Sequence, residues 1–173
     1  GSLSNFTQEI TKSEVSTLSD AIKGVYKQIE TNLQGQTITG TDTGFKEINK
    51  ASGGFQKSDL IVIAGETSQG KTSLALSIVD TATKQGQPVA IYSMEMKATQ
   101  LAARLLSMNT GIPSNQILYS QLDTQYLGVL DSGVNKINDL PVYFDDNSTS
   151  NIDKITASIR SLKNRYNING AVI

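Results

Sequence analysis

The stretch Gly65-Glu66-Thr67-Ser68-Gln69-Gly70-Lys71-Thr72 matches G-x-x-x-x-G-K-[ST] at every fixed position. Before it runs Asp59-Leu60-Ile61-Val62-Ile63-Ala64, short and continuously apolar, which predicts a strand buried on both faces. After it, Thr72 to Lys84 carries Leu74, Leu76, Ile78 and Val79 on one side, which predicts a helix. Strand, glycine-bearing loop and helix in that order are the context this pattern requires, and they argue against an ordinary strand-to-helix turn.

The spacing has a chemical reason. Glycines let the backbone curl until successive N–H groups face inward as an anion nest, and the positive end of the following helix points at the same place. The cradle comprises Gly65, Glu66, Thr67, Ser68, Gln69 and Gly70. Of these, Glu66, Thr67 and Gln69 stand at variable positions, and their side chains are given no role of their own. Lys71 is expected to reach the β- and γ-phosphates, Thr72 to ligate Mg²⁺ through its hydroxyl, and Ser73 to add a hydrogen bond. The ligands implied are a nucleoside triphosphate and Mg²⁺. The loop alone does not separate a kinase, a GTPase and a motor.

Toward the C-terminus the pattern keeps alternating. Val89-Ala90-Ile91-Tyr92-Ser93 reads as a strand, and residues 98–109 as a helix with Leu101, Leu105, Leu106 and Met108. A further helix is expected near 123–137, a strand from Pro141 to Phe144, and a helix at 151–166 with Ile152, Ile155, Ile159 and Leu162. Gly170-Ala171-Val172-Ile173 opens another strand, and an end there leads us to expect a piece of something longer. Strands separated by helices predict an α/β fold, a mostly parallel sheet with helices on both faces.

Toward the N-terminus, Val15, Leu18, Ile22, Val25, Ile29 and Leu33 predict one amphipathic helix over 13–33, with Ser13 as N-cap. Residues 1–12 read as a cloning scar and frayed tail, and 34–44 as a polar linker to a domain covering 45–173. Pattern alone leaves two homes for the helix, its own domain or a neighbouring subunit.

The chain has no cysteine and no histidine, which excludes thiol nucleophiles, disulfides, Cys/His zinc sites and His general bases within it. Fifteen basic residues against sixteen acidic ones give a net charge of −1, so bulk charge supplies no pull on nucleic acid. No apolar run is long enough to span a bilayer and no signal peptide is visible, which predicts no membrane role and a reducing, cytoplasmic setting.

Glu95, in Tyr92-Ser93-Met94-Glu95-Met96, falls at the carboxyl end of the second predicted strand, where ligand chemistry gathers in open parallel sheets. A carboxylate there can orient or deprotonate an attacking water. An exposed loop glutamate with no such task fits the position equally well.

Several segments together resemble the C-terminal motor domain of DnaB-type replicative helicases, which are RecA-like ATPases. They are Thr43-Gly44-Phe45 with Ile48-Asn49, Ser52 to Leu60, the phosphate loop, Ser93-Met94-Glu95-Met96, Gln100-Leu101 with Arg104-Leu105, and Val142 to Asp146. The resemblance covers roughly 13–173, ending at Ala171-Val172-Ile173, where the family's Walker B strand would deliver its aspartate.

The resemblance implies a RecA-like P-loop fold preceded by a linker helix, Glu95 as catalytic glutamate beside Lys71, and Arg104 near the nucleotide. It also implies that helix 13–33 packs on the adjacent subunit of a homohexameric ring, and that Asp145 and Asp146 either bind metal through water or cap a segment. ATP and Mg²⁺ are the implied cofactors. Single-stranded DNA, a primase and a helicase loader are the implied partners, in a bacterial or phage setting. Gly65-Glu66-Thr67 departs from the Ala start and Arg-Pro common in the family, pointing to a divergent or mobile-element branch. The family's Walker B aspartate, DNA-contacting loops and arginine finger would lie beyond Ile173, so the chain by itself is expected to bind nucleotide weakly and not to turn it over. The rival reading is a RecA-like nucleotide-binding module for assembly or regulation, without unwinding.

Overall fold

The computed structural model describes residues 16–35, 38–57, 59–147 and 150–173. These divide into two units, one ending at Thr37 and one spanning Ile38–Ile173.

The first unit is helix α1, Leu18–Leu33. Thr17 starts it: its hydroxyl accepts from the Asp20 N–H, and the Asp20 carboxylate accepts from the Thr17 N–H and hydroxyl. This reciprocal box satisfies two amides that helical geometry leaves unpaired. The helix therefore starts at Leu18 rather than at residue 13, and the expected cap Ser13 lies outside the described residues. Leu18, Ile22, Val25, Ile29 and Leu33 do share a stripe, but every one is exposed or nearly so and none is buried.

The second unit is built on a three-stranded parallel sheet. Its strands are β1 Val89–Tyr92, β2 Val142–Asp145 and β3 Gly170–Val172, in the order β2-β1-β3. The central strand shows why this sequence makes two layers of helix. Val89 and Ile91 point one way, into Leu76, Val79 and Ala82 of α3 (Lys71–Lys84) and Leu101 and Leu105 of α4 (Ala98–Thr110). Ala90 and Tyr92 point the other way, onto Ile155 of α7 (Ile152–Tyr166) and Ile168. Burying a side chain of this size stabilises by roughly 1.5–3 kcal/mol, so the two clusters are the main source of cohesion. Truncating Leu105 to Ala would cost about 2–5 kcal/mol.

Two helices were absent from the sequence pattern. They are α2, Lys46–Ser52, and α5, Ser114–Tyr119; each is too short to display a period. The helix expected near 123–137 is a 3-10 turn, Thr124–Tyr126, running into α6, Leu127–Ile137.

Two expectations need correction. Residues 59–64 form no strand: Leu60 is 90% and Val62 78% exposed. Apolar composition makes a strand only when a ladder partner and covering layers are present, and none of the described residues pairs with this run. Residues 38–44 are also no free tether. Thr41 bridges Phe55 in both directions, and Thr39 and Gly40 donate to the Gly53 carbonyl.

Asp42, Thr43 and Asn49 then clamp this hairpin. The buried Thr43 hydroxyl donates to Asn49 Oδ1 at 2.7 Å, Asn49 Nδ2 donates to Asp42 Oδ1 at 2.6 Å, and Gln85 beyond α3 donates to Asp42 Oδ2 at 3.0 Å. Gly44 has φ +80°, and a Cβ there would lie 2.5 Å from Thr81 Oγ1 of α3, so only glycine lets the hairpin approach so closely. The clamp fixes the far end of α3, and with it the direction in which its first turn points.

Candidate active site

The phosphate loop enters α3 through Gly70, whose φ of +83° is a left-handed conformation that suits glycine. Ser68 has φ +67° without being glycine, one of two such residues described. A strained backbone of this kind persists where the surroundings impose it, and it clusters at ligand sites. The Gln69 N–H closes a turn on the Glu66 carbonyl at 3.2 Å. Positive φ at alternate residues folds the backbone so that its N–H groups converge.

The first turn of α3 is bare in a way that α1 and α7 are not. Its N-cap Gly70 has no side chain to accept from N–H groups, and no acidic residue stands in the turn. By contrast, α7 starts at Asn151, whose side chain accepts from the Asp153 and Lys154 N–H groups, and carries Asp153 in its first turn. Helix α1 has Thr17 and Asp20. The uncapped amides and the positive helix end of α3 therefore lie ready for an anion. Lys71 follows the loop back: a Cβ at Gly65 would lie 3.5 Å from Lys71 Cγ. Thr72 is half-buried as the second helical residue, and Ser73 is the third. This donor set fits a polyphosphate.

For Mg²⁺ the fit is narrower. Among the described residues no group of three His, Cys, Asp or Glu gathers to hold a metal. Thr72 would be one protein ligand, with phosphate oxygens and water as the rest, which is how Mg²⁺ is commonly held beside nucleotides.

Glu95 lies in the loop from β1 to α4, exposed. Short connections join α3 to β1 and β1 to α4, so α3 runs against the strands and both helices begin on the side of the carboxyl ends. Glu95 and the phosphate loop thus share one edge of the sheet. Arg104 is half-buried on α4, and no ion pair engages it among the described residues. A cavity of about 380 Å³ opens nearby between the ends of β1 and β2 and the start of α7. It takes in Ser93 and Met94 but none of Gly65–Thr72.

Three contacts that hold the Glu95 loop were not read from the sequence, although the resemblance allowed Asp146 a capping role. Ser93 Oγ accepts the Met96 N–H at 3.0 Å, Gln100 Oε1 accepts the Lys97 N–H at 3.0 Å, and Asp146 Oδ2 accepts the Ala98 N–H at 3.1 Å. The Gln100 contact had a readable signal, a glutamine three positions after the residue that begins a helix. The Asp146 contact spans the sheet and had none.

The model of the DnaB-like helicase C terminal domain family matches residues 40–173. The chain belongs to that family. It is 35% identical over 159 residues to the replicative DNA helicase DnaB of Geobacillus stearothermophilus, covering 90% of this chain and 35% of the relative. To the replicative DNA helicase DnaC of Bacillus subtilis it is 36% identical over 149 residues, covering 84% of this chain and 33% of the relative. The chain therefore spans about a third of the length of the curated relatives it matches. Among solved structures, the ATPase domain of G40P superposes with a TM-score of 0.79 at 23% identity, covering 88% of this chain and 54% of that one. A DnaB-like replicative helicase solved for its interactions with primase gives 0.75 at 22%, covering 94% of this chain and 39% of that one. These two establish the RecA-like α/β fold of the DnaB ATPase domain. No helix among the described residues is long and apolar enough to cross a membrane.

Proposed function

We propose that the chain is the nucleotide-binding part of a hexameric replicative DNA helicase, which couples ATP hydrolysis to movement along single-stranded DNA and duplex unwinding. The observation that carries this is the bare first turn of α3 behind a complete phosphate-loop sequence, in a chain of the DnaB-like family. The named relatives are replicative helicases, which favours this reading over a regulatory module that does not unwind.

ATP with Mg²⁺ supplies the reactive phosphoanhydride and a divalent charge to neutralise it. The residues of the chain divide the remaining work. The N–H groups of Ser68 and of Gly70 to Ser73 donate to phosphate oxygens, and the Lys71 ammonium balances charge that grows as the terminal bond breaks. Thr72 gives its hydroxyl oxygen to Mg²⁺. Glu95 orients the attacking water and takes its proton. Arg104 faces the nucleotide from α4, and an arginine from a neighbouring subunit completes the site.

The exposed stripe Leu18, Ile22, Val25, Ile29 and Leu33 serves as the contact by which α1 docks on the adjacent subunit of the ring. We place the helicase in the cytoplasm of a bacterium or on a phage replicon, with a primase and a loader as partners.

The test is Glu95→Gln in the full-length helicase. General-base loss is expected to lower ATP turnover about 100-fold or more, with ATP affinity within about threefold. Forked-duplex unwinding at the wild-type rate would overturn the assignment.

A further inference from the structure

The loop that carries Glu95 is held from outside, and by one short segment. At its start the Ser93 N–H donates to the Asp145 carbonyl at 3.1 Å, extending the β1–β2 ladder by one bond. At its end the Ala98 N–H donates to Asp146 Oδ2 at 3.1 Å. Two consecutive residues at the end of β2 thus bracket the five residues between β1 and α4. Within the bracket, Ser93 Oγ and Gln100 Oε1 take the N–H groups of Met96 and Lys97.

Asp146 is the member with no substitute. Lys97, the N-cap of α4, has no acceptor on its side chain, so the helix takes its cap from the residue that follows β2. Asp145 cannot stand in. Its Oδ2 accepts from the Ser158 hydroxyl at 3.0 Å, and that hydroxyl oxygen accepts from the Tyr92 hydroxyl at 3.0 Å. Its Oδ1 accepts from the backbone and side-chain N–H groups of Asn147. The acidic pair is thereby split: Asp145 ties β2 to α7, and Asp146 ties β2 to the start of α4.

We propose that Asp146 is a positioning residue for ATP hydrolysis. By capping α4 at Ala98 it fixes the Glu95 loop against the phosphate loop, so that the carboxylate meets the attacking water in productive geometry. A general base displaced by an ångström loses rate without losing ligand affinity, because the phosphate contacts lie elsewhere. The inference rests on the catalytic reading of Glu95.

The experiment compares Asp146→Ala, Asp146→Asn, Glu95→Gln and the Glu95→Gln/Asp146→Ala double variant in the full-length helicase, by steady-state and single-turnover ATP hydrolysis. Asp146→Ala is expected to lower kcat about 10-fold with KM for ATP within twofold. Asp146→Asn keeps an oxygen that accepts from Ala98 and should stay within about twofold of wild type. Adding Asp146→Ala to Glu95→Gln should cost nothing further, since the group being positioned is gone. Amide exchange at Ala98 should quicken in Asp146→Ala while that of β1 does not, which separates a lost cap from a lost fold. An unchanged kcat in Asp146→Ala, equal losses in the Ala and Asn variants, or a further 10-fold loss on top of Glu95→Gln would each overturn the proposal while leaving Glu95 intact. Wild-type turnover in Glu95→Gln would remove the underlying reading and this inference with it.

Discussion

Two loops lead into helices on the same edge of the sheet, and they treat their backbone N–H groups in opposite ways. Before α3, Gly65–Gly70 uses positive φ and a side-chain-free cap, and leaves the first turn without an acceptor from its own side chains. Before α4, the N–H groups of Met96, Lys97 and Ala98 are each taken by a side-chain oxygen, from Ser93, Gln100 and Asp146. The difference follows from what each loop has to hold. Amides that bind a phosphate must be unspent until the ligand arrives. A loop whose useful part is a carboxylate must spend its amides internally, both to fix the side chain and to avoid offering a second anion site. One fold element, a helix start, becomes a ligand site or a support depending on its acceptors.

The largest way to break the contrast is to remove the one cation of the open loop. Lys71→Ala should weaken ATP binding to this chain by about 100-fold, since a hydrogen bond to a charged group is worth about 1.5–3 kcal/mol. Isothermal titration measures it directly.

A sharper test gives the open loop what other helix starts have. Ser73→Asp places an acid in the first turn of α3, which stabilises the helix by about 0.3–1 kcal/mol through its dipole. The same charge repels phosphate and should lower ATP affinity at least about 10-fold. Thermal unfolding should hold steady or rise as binding falls. A variant that loses stability and keeps binding would mean that the first turn of α3 is not the anion site.

How much of this was visible beforehand depends on the range of the interaction. The phosphate loop, α3, β1, α4, α7 and the position of Glu95 at a strand end were readable, because each is local: a spacing, a period, a run of β-branched residues. The strand expected at 59–64 failed because composition reports burial and not pairing; Leu60 and Val62 have the right chemistry and no ladder partner among the described residues. Ser13 lies outside the described residues, and the helix that is described opens on the reciprocal pair Thr17 and Asp20, which the apolar period does not show. Asp146 could be noticed as acidic, but that it caps α4 depends on β1 and β2 pairing in one register, Tyr92 opposite Asp145. That is tertiary information.

The smallest expected effect concerns the support of α3 at its other end. Asp42 is held below the ordinary carboxylate range, first by the Gly44 N–H, then by the side chains of Gln85 and Asn49. A group whose folded pKa is depressed adds stability that is complete above its unfolded value, about 3.9, and disappears as pH falls through the lower folded value. Urea midpoints should therefore decline as pH falls below about 4, the unfolded value, and the decline should be shallower in Asp42→Asn. ATP affinity at neutral pH should differ little between the two, since the clamp and the open loop lie at opposite ends of α3.

The contrast between the two loops is tested most directly by titrating ATP and Mg²⁺ into this chain while following individual backbone amides by NMR. The account predicts weak, saturable binding, with the largest shifts at the N–H groups of Gly65 to Ser73, minor ones at Met96, Lys97 and Ala98, and loss of the response in Lys71→Ala. Shifts centred on Met96 to Ala98, or a response that survives Lys71→Ala unchanged, would contradict it.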